Sequence, residues 1–228
     1  MENLERLERL IGRPSLEKLK NAHVAVFGVG GVGGMLAEAL ARSGIGEITI
    51  VDRDIVAESN LNRQVIAFTD TIGRPKVEVM AELIRRINPE IKVHALSEFF
   101  LPDNSAGYDF KSFDYVADAV DTVTAKLEII TKCKEAGTPV ISCMGTGNKL
   151  DPSRLKIADI TETSICPLAR VMRKELKKRD ITDVTVCYSD EPPLVKTADA
   201  PGTCMVVPAS AGLLMAGEII GNLIDEGK

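Results

Sequence analysis

Residues His23–Gly33 read HVAVFGVGGVG, and this stretch decides the fold. His23–Phe27 is a short, apolar, β-branched run, the pattern of a strand buried in a parallel sheet. Gly28, Gly30, Gly31 and Gly33 follow at once, and Met35–Arg42 (MLAEALAR) then runs at helical spacing. Strand, glycine turn and helix in that order form a nucleotide-binding unit. One glycine permits the tight turn, one lets the backbone approach phosphate, and one lets helix and strand pack closely. Phosphate oxygens then meet the free N–H groups and the positive dipole end of the helix.

The next predicted strand, Glu47–Val51 (EITIV), runs into Asp52, nineteen residues after Gly33. An acid at that place accepts hydrogen bonds from ribose hydroxyls. The residues after Asp52 depart from the pattern of a hydride-transfer enzyme. Asn60, Arg63 and Gln64 lie in a polar loop, and Lys76 heads a helix with Val77, Met80, Leu83, Ile84 and Ile87 on one stripe. A redox enzyme needs few cations beside its pyrophosphate. An enzyme that expels pyrophosphate must stabilise developing phosphate charge, and Arg and Lys do this. The competing reading is that Arg63 and Lys76 are solvated surface cations.

Strands and helices alternate through about residue 145, which predicts an α/β, Rossmann-like, open and mostly parallel sheet. Leu155–Thr161 and Asp183–Ser189 read as additional strands in the C-terminal third, flanking a charged helix. At 228 residues the chain can bury one substantial core. It reads as a single domain: an N-terminal arm (1–21), a nucleotide-binding core (22–150) and C-terminal strands and helices (151–228). Phe113–Val120 (FDYVADAV) reads as a further parallel strand with Asp121 at its carboxyl end, where such sheets bind ligands. A hard carboxylate there suits Mg²⁺ shared with substrate phosphates. Asp118, three residues earlier, is an equal candidate on spacing.

These motifs resemble the E1-like (ThiF/MoeB) adenylating superfamily: GVGGVG at 28–33, VDRDIVAESNLNRQ at 51–64, GRPK at 73–76, RINP at 86–89 and DAVD at 118–121. The resemblance implies ATP-dependent adenylation of a carboxylate. It implies that Asp52 holds the ribose, that Asn60, Arg63, Gln64 and Lys76 handle phosphates, with Asp54 beside them, and that Asp121 holds Mg²⁺. Three further segments, ADAVDTVTAK at 117–126, CPLARVMRKEL at 166–176 and YSDEPP at 188–193, resemble the tRNA threonylcarbamoyladenosine dehydratase (TcdA/CsdL) subgroup. There the activated carboxylate belongs to the threonylcarbamoyl group on adenosine 37 of ANN-decoding tRNAs. It closes into a cyclic form with loss of AMP. Two other functions remain open: activation of a sulfur-carrier C-terminus, and a noncatalytic E1-like partner of a cysteine-desulfurase system.

The dehydratase chemistry needs no enzyme nucleophile, because the attacking atom is tethered within the substrate and proximity supplies much of the acceleration. The cysteines fit this. None of Cys133, Cys143, Cys166, Cys187 and Cys204 lies within three residues of another, so no paired-cysteine zinc hook is expected and no zinc is assigned. Their odd number, and the lack of a signal peptide, predict reduced thiols in the cytoplasm. Cys166, before Pro167 at a helix start, is the best candidate for a nucleophile; the others read as structural. The last helix, predicted over Ala209–Asp225, is interrupted by Glu218 and reads as too short to span a bilayer, so no stable membrane insertion is expected.

Composition argues least well for tRNA. The net charge is −5 and there is no Trp, a poor match to a polyanion partner. The local exception is Arg170, Arg173, Lys174 and Lys177, which share a helical face and are the tRNA-contact candidates; a solvated helix surface is the bland alternative. Asp190–Gly202 (DEPPLVKTADAPG) reads as a loop, either a cover for the site or plain surface. Finally, Asn3–Gly12 (NLERLERLIG) precedes the first strand. The family resemblance implies a homodimer in which an arginine of this arm reaches the partner's ATP phosphates. Aligned on Gly12 that residue is Arg6, with Arg9 as the fallback; otherwise both arginines pair with Glu2, Glu5 and Glu8.

Overall fold

The structure, a computed structural model, describes residues 4–195 and 201–225. His23–Phe27 forms β1 and Glu47–Val51 forms β2, both with the predicted bounds. Between them α3 spans Gly33–Arg42, beginning two residues earlier than its periodic stretch because the last turn of the glycine loop is already helical. Next come α4 (Lys76–Ile87), β3 (Lys92–Leu96), β4 (Tyr115–Asp118), α5 (Val123–Ala136) and β5 (Val140–Cys143). The C-terminal third adds β6 (Leu155–Asp159), α6 (Pro167–Lys177), β7 (Thr185–Ser189) and α7 (Val206–Ile224). Two helices precede β1: α1 (Glu5–Ile11) and α2 (Arg13–Asn21).

The seven strands form one sheet in the order β3-β2-β1-β4-β5-β7-β6. All neighbouring pairs are parallel except β6, which runs antiparallel to β7 at the edge. The chain builds outward from β1 to β2 and β3, then returns to the other side of β1 with β4. That reversal opens a crevice beyond the carboxyl ends of β1 and β4, where open α/β sheets bind ligands.

Two apolar clusters flank the sheet. On one face Val24, Val26, Ile48 and Ile50 pack against Leu36, Leu40, Met80 and Ile84 of α3 and α4 and against Met215 and Ile219 of α7. On the other, Ala25, Phe27 and Val116 meet Ile129 and Ile130 of α5 and Met172 and Leu176 of α6. Strand alternation decides which residue faces which layer.

Several sequence boundaries need correction. The strand expected over Phe113–Val120 is only Tyr115–Asp118. The Asp118 side chain accepts the Val120 N–H at 3.1 Å, which turns the chain out of the sheet, so Asp121 sits three residues past the strand end. Strand β6 stops at Asp159, whose carboxylate caps a short 3₁₀ turn through Thr161 N–H. Strand β7 begins at Thr185, and α7 begins three residues before Ala209. Strand β3 had no clear signal, because it lies at the sheet edge and its residues are mostly exposed or half-buried. Helix α7 also corrects the length expectation. Its 19 residues, mean hydropathy 1.4, are long and apolar enough to cross a membrane by length and composition alone. Ala211, Met215, Ala216 and Ile219 are instead buried against the sheet and α3. Asn3 and residues 196–200 of the Asp190–Gly202 loop lie outside the described residues.

Candidate active site

The crevice beyond β1 and β4 is a cavity of about 750 Å³. Its lining includes Gly28, Gly30, Gly31, Asp52, Asp54, Asn60, Arg63, Gln64, Lys76 and Asp121, every candidate ATP-binding residue except Gly33. Gly33 lies behind the loop: a Cβ there would sit 1.8 Å from the Gly28 carbonyl oxygen. It is thus the glycine that allows close packing of α3 on the turn. Gly28 has φ +90° and an added Cβ would meet the Ala119 carbonyl at 2.6 Å, so the loop after β1 and the loop after β4 touch backbone to backbone.

Asp52 holds the glycine loop and its own turn together. One carboxylate oxygen accepts Val29 N–H at 2.7 Å and the other accepts Asp54 N–H at 2.8 Å. Both bonds are fixed by backbone, so the carboxylate enters the cavity pre-oriented, with lone pairs left for a ligand hydroxyl. Beyond it, residues 54–76 fold back on themselves. Lys76 N–H donates to the Asp54 carbonyl, and Val56 and Gly73 exchange backbone bonds with Arg74 and Val56. This zipper delivers Lys76 at the first turn of α4. Its side chain is 7% exposed, and its ammonium lies 3.0 Å from Asp54 Oδ2, whose own side chain is 57% exposed. Lys76 is therefore not a solvated surface cation. Arg63 is half-buried, and its guanidinium donates to the Ser59 carbonyl at 2.6 Å and to Asn62 Oδ1 at 3.2 Å. Asn60 turns its carbonyl inward onto Ala57 N–H at 3.0 Å.

Gln64 supplies the clearest sign of a ligand. It is buried in the cavity wall, and its side-chain oxygen alone among the described buried side-chain atoms has no hydrogen-bond partner. Such atoms cost free energy unless something fills the space beside them. Either end of the amide suits a nucleotide, which carries acceptor phosphates and donor hydroxyls.

The two candidate metal carboxylates separate cleanly. Asp118 is fully buried, bonded to Lys126 Nζ at 3.0 Å and to the Ser142 hydroxyl at 2.5 Å. It does not line the cavity. Asp121 is exposed and does. A single hard carboxylate open to a cavity of this kind fits Mg²⁺ held jointly with substrate phosphates.

A family model described as the ThiF family matches residues 4–228. The chain belongs to the ThiF family. The tRNA threonylcarbamoyladenosine dehydratase of Bacillus subtilis strain 168 is 41% identical over 244 residues, covering 99% of this chain and 96% of that protein. The Escherichia coli tRNA N6-threonylcarbamoyladenosine dehydratase in complex with AMP superposes with a TM-score of 0.92 at 36% identity, covering 97% of this chain and 94% of that one. The same E. coli enzyme in complex with ATP gives 0.91 at 35% identity, with 97% and 93% covered.

Against this ThiF framework, other parts of the wall had gone unread in the sequence. The loop after β5 contributes Gly145, Thr146 and Gly147, and Leu168 of α6 joins them. A Gly-Thr-Gly run at the carboxyl end of a predicted strand was an available signal. Arg53 stacks over the Phe99 ring at 4.1 Å, and both border the cavity; residues distant in sequence gave no hint of that shelf.

The cysteines are mostly core. Burial pushes the Cys133 thiol up. Cys143 borders the cavity, but its thiol is held well above the ordinary range by the adjacent Cys187 thiol and by burial. Cys166 precedes α6 as expected but is buried; a Cβ on Gly145 would lie 3.6 Å from its sulfur, and it does not itself line the cavity. On α6, Arg170, Lys174 and Lys177 are exposed, whereas Arg173 is half-buried and donates to the Thr163 carbonyl at 2.6 Å and to the Thr163 hydroxyl. Arg173 is thus partly committed to its own chain. Arg6 is exposed on α1 and does not line the cavity of its own chain; Arg9 pairs with Glu5 at 2.5 Å.

Proposed function

We propose that this chain is an ATP-dependent tRNA threonylcarbamoyladenosine dehydratase, acting on the threonylcarbamoyl carboxylate of t6A37. The observation that carries the reading is a buried lysine and a half-buried arginine, Lys76 and Arg63, converging with Asp52 and Asp121 on one cavity behind a phosphate-type glycine loop. Hydride transfer develops no new charge on phosphate, whereas departure of pyrophosphate does, and an arginine and a lysine there stabilise it. The likeness over nearly full length to the Bacillus subtilis dehydratase points to the same chemistry.

A carboxylate at neutral pH has no good leaving group. In the first step one of its oxygens bonds to the α-phosphorus of ATP, and the bond to pyrophosphate breaks. In the second, a tethered carbamoyl atom attacks the acyl carbon, AMP departs with the former carboxylate oxygen, and the net change in the substrate is loss of water. Asp52 anchors the ribose, and the Gly28–Gly33 loop carries the phosphates on backbone N–H groups. Arg63 and Lys76 neutralise charge that grows on the leaving pyrophosphate. Mg²⁺ held by Asp121 adds phosphate charge neutralisation when bound. Intramolecular ring closure leaves no task for a cysteine.

Two partners complete the reading. Helix α6 begins at the cavity wall with Leu168 and carries Arg170, Lys174 and Lys177 on its exposed side, a path for the tRNA backbone leading away from the site. A second copy of the chain supplies Arg6 in trans to the phosphates. The mixing experiment is direct: Arg6→Ala and Asp121→Ala chains, each inactive alone, regain activity as heterodimers because one site then holds both residues. Verified subunit exchange without returning activity rejects the shared site.

The function itself is tested by pyrophosphate release with three substrates: tRNA bearing t6A, the same tRNA without the modification, and a sulfur-carrier protein ending in Gly-Gly. Release only with the modified tRNA, accompanied by loss of water from its nucleoside, is the expected result. Release with the carrier moves the chain to the sulfur-transfer branch, and release with none leaves a binding protein.

A further inference from the structure

Both histidines of the chain lie together at the end of the sheet opposite the nucleotide cavity. His23 opens β1, Glu47 opens β2 in register with it, and His94 on β3 pairs with Thr49. All three project from the sheet face that carries Phe27 and Phe113, at its β3 margin. The Phe113 ring packs edge-on against His23 at 4.9 Å. Glu47 Oε1 lies 2.8 Å from His94 Nε2 and 3.7 Å from His23 Nδ1. The candidate ligand atoms lie within 4.8 Å of one another.

We propose that His23, Glu47 and His94 form a binding site for a divalent transition metal of the Zn²⁺ class, unrelated to ATP chemistry. Two imidazoles and one carboxylate are a donor set that Zn²⁺ accepts, with bonds of about 2.0–2.2 Å and a fourth position left for water. His23 is prepared for the role. Its Nε2 lies 2.8 Å from the Thr49 hydroxyl, which is buried. A proton on Nε2 donated to that hydroxyl leaves the Nδ1 lone pair facing Glu47, the kind of outer-shell bond that fixes tautomer and ring angle in metal-bound histidines. His94 is exposed and free to swing onto the ion.

The surrounding charges are mixed. The Lys92 ammonium lies 3.6 Å from Glu47 Oε2 on a mostly exposed side chain, so it can withdraw into water. The Asp114 carboxylate, accepting the backbone N–H of His23 at 2.7 Å, contributes negative charge beside the site. An ion here would tie together β1, β2 and β3 at the β3 edge of the sheet. Cysteine spacing predicted no zinc; histidine spacing could not predict this site, because its three ligands meet only through strand register.

The experiment is a Zn²⁺ titration of the full, metal-stripped chain, read by ¹H–¹⁵N spectra of the two imidazoles and by the thermal midpoint. Native protein should shift both histidine signals together, saturate at one equivalent and gain thermal stability on binding. His94→Ala and Glu47→Gln, both at accessible positions, should each weaken binding at least as much as the roughly 10–100-fold lost with an outer-shell partner. Binding that is unchanged in both variants would assign the metal elsewhere, the thiols included, and overturn the proposal. So would native histidine signals that ignore Zn²⁺. Neither result depends on turnover, so dehydratase activity stands or falls separately.

Discussion

Two lysine–carboxylate pairs in this molecule have opposite characters. At the rim of the cavity, Lys76 meets Asp54 at 3.0 Å, and the aspartate is 57% exposed. In the layer beneath, Lys126 meets Asp118 at the same distance with the two side chains 1% and 0% exposed. The lower lysine also donates to the Cys143 carbonyl at 2.6 Å, and Asp118 is closed off by Ser142. The rim pair can exchange its partner for a phosphate; the lower pair has no vacancy and no access. The residue types are identical, so availability comes from packing and not from chemistry. The lower pair pins the loop after β4, which in turn presents Asp121.

The contrast breaks most visibly in the lower layer. Asp118→Asn leaves a buried ammonium without its counter-charge, a change that costs about 3–5 kcal/mol. The urea midpoint should fall sharply, whereas Asp121→Ala, three residues on, should unfold close to the parent and yet release no pyrophosphate. An Asp118→Asn protein as stable as the parent would erase the distinction.

At the rim, Arg63→Ala and Lys76→Ala should each remove roughly 2–4 kcal/mol of transition-state stabilisation, the loss typical of one preorganised donor. Presteady-state pyrophosphate release measures this directly, and near-normal rates in both would make them bystanders. ATP with Mg²⁺ should bind and NAD should not, by calorimetry.

A smaller effect is expected at Cys166. It lies behind Gly145 and outside the cavity lining, so Cys166→Ser should keep its rate within about tenfold, the scale of 1.4 kcal/mol. Complete loss in a folded variant would demand a thioester route.

The smallest effect is expected at Asp190. Lys156 on β6 and Arg154, just before that strand, grip Asp190 beyond β7 at 2.5 and 2.8 Å and hold its carboxyl down at about 2. Because the folded pKa is lowered, its contribution is present above the unfolded value near 4 and is lost as pH falls toward about 2. Asp190→Asn should lower neutral stability slightly, because the pair is solvent-screened, and should flatten acid unfolding in that window.

Legibility in the sequence divides the same way. The bounds of β1 and β2, the glycine loop and the polar run from Asp52 to Gln64 are local patterns, and each is found where it was read. Lys76 was legible as a position but not as a buried group, since the zipper of residues 54–76 that encloses it depends on the Ile55–Pro75 bridge. Asp118 and Asp121 were indistinguishable by spacing and became distinct only once Lys126, eight residues on, turned back beneath the sheet. The Arg53–Phe99 shelf and the β5 loop come from separate strands that converge at the carboxyl edge, so no single window contains them. The N-terminal arm is the opposite case: its two arginines were visible, but neither lines the cavity of its own chain.

One measurement bears on both pairs at once: the same substitution, methionine, placed at each lysine in turn. Lys76→Met and Lys126→Met remove one ammonium each and keep similar side-chain volume. Pyrophosphate release with t6A-bearing tRNA and the unfolding midpoint are then read on both. Lys76→Met should lose its turnover with the midpoint nearly unchanged. Lys126→Met should lose its midpoint, and its turnover should fall along with the loop after β4 that the pair pins. Full turnover in Lys76→Met, whatever the midpoint of its counterpart, would contradict the assignment of the rim to pyrophosphate departure.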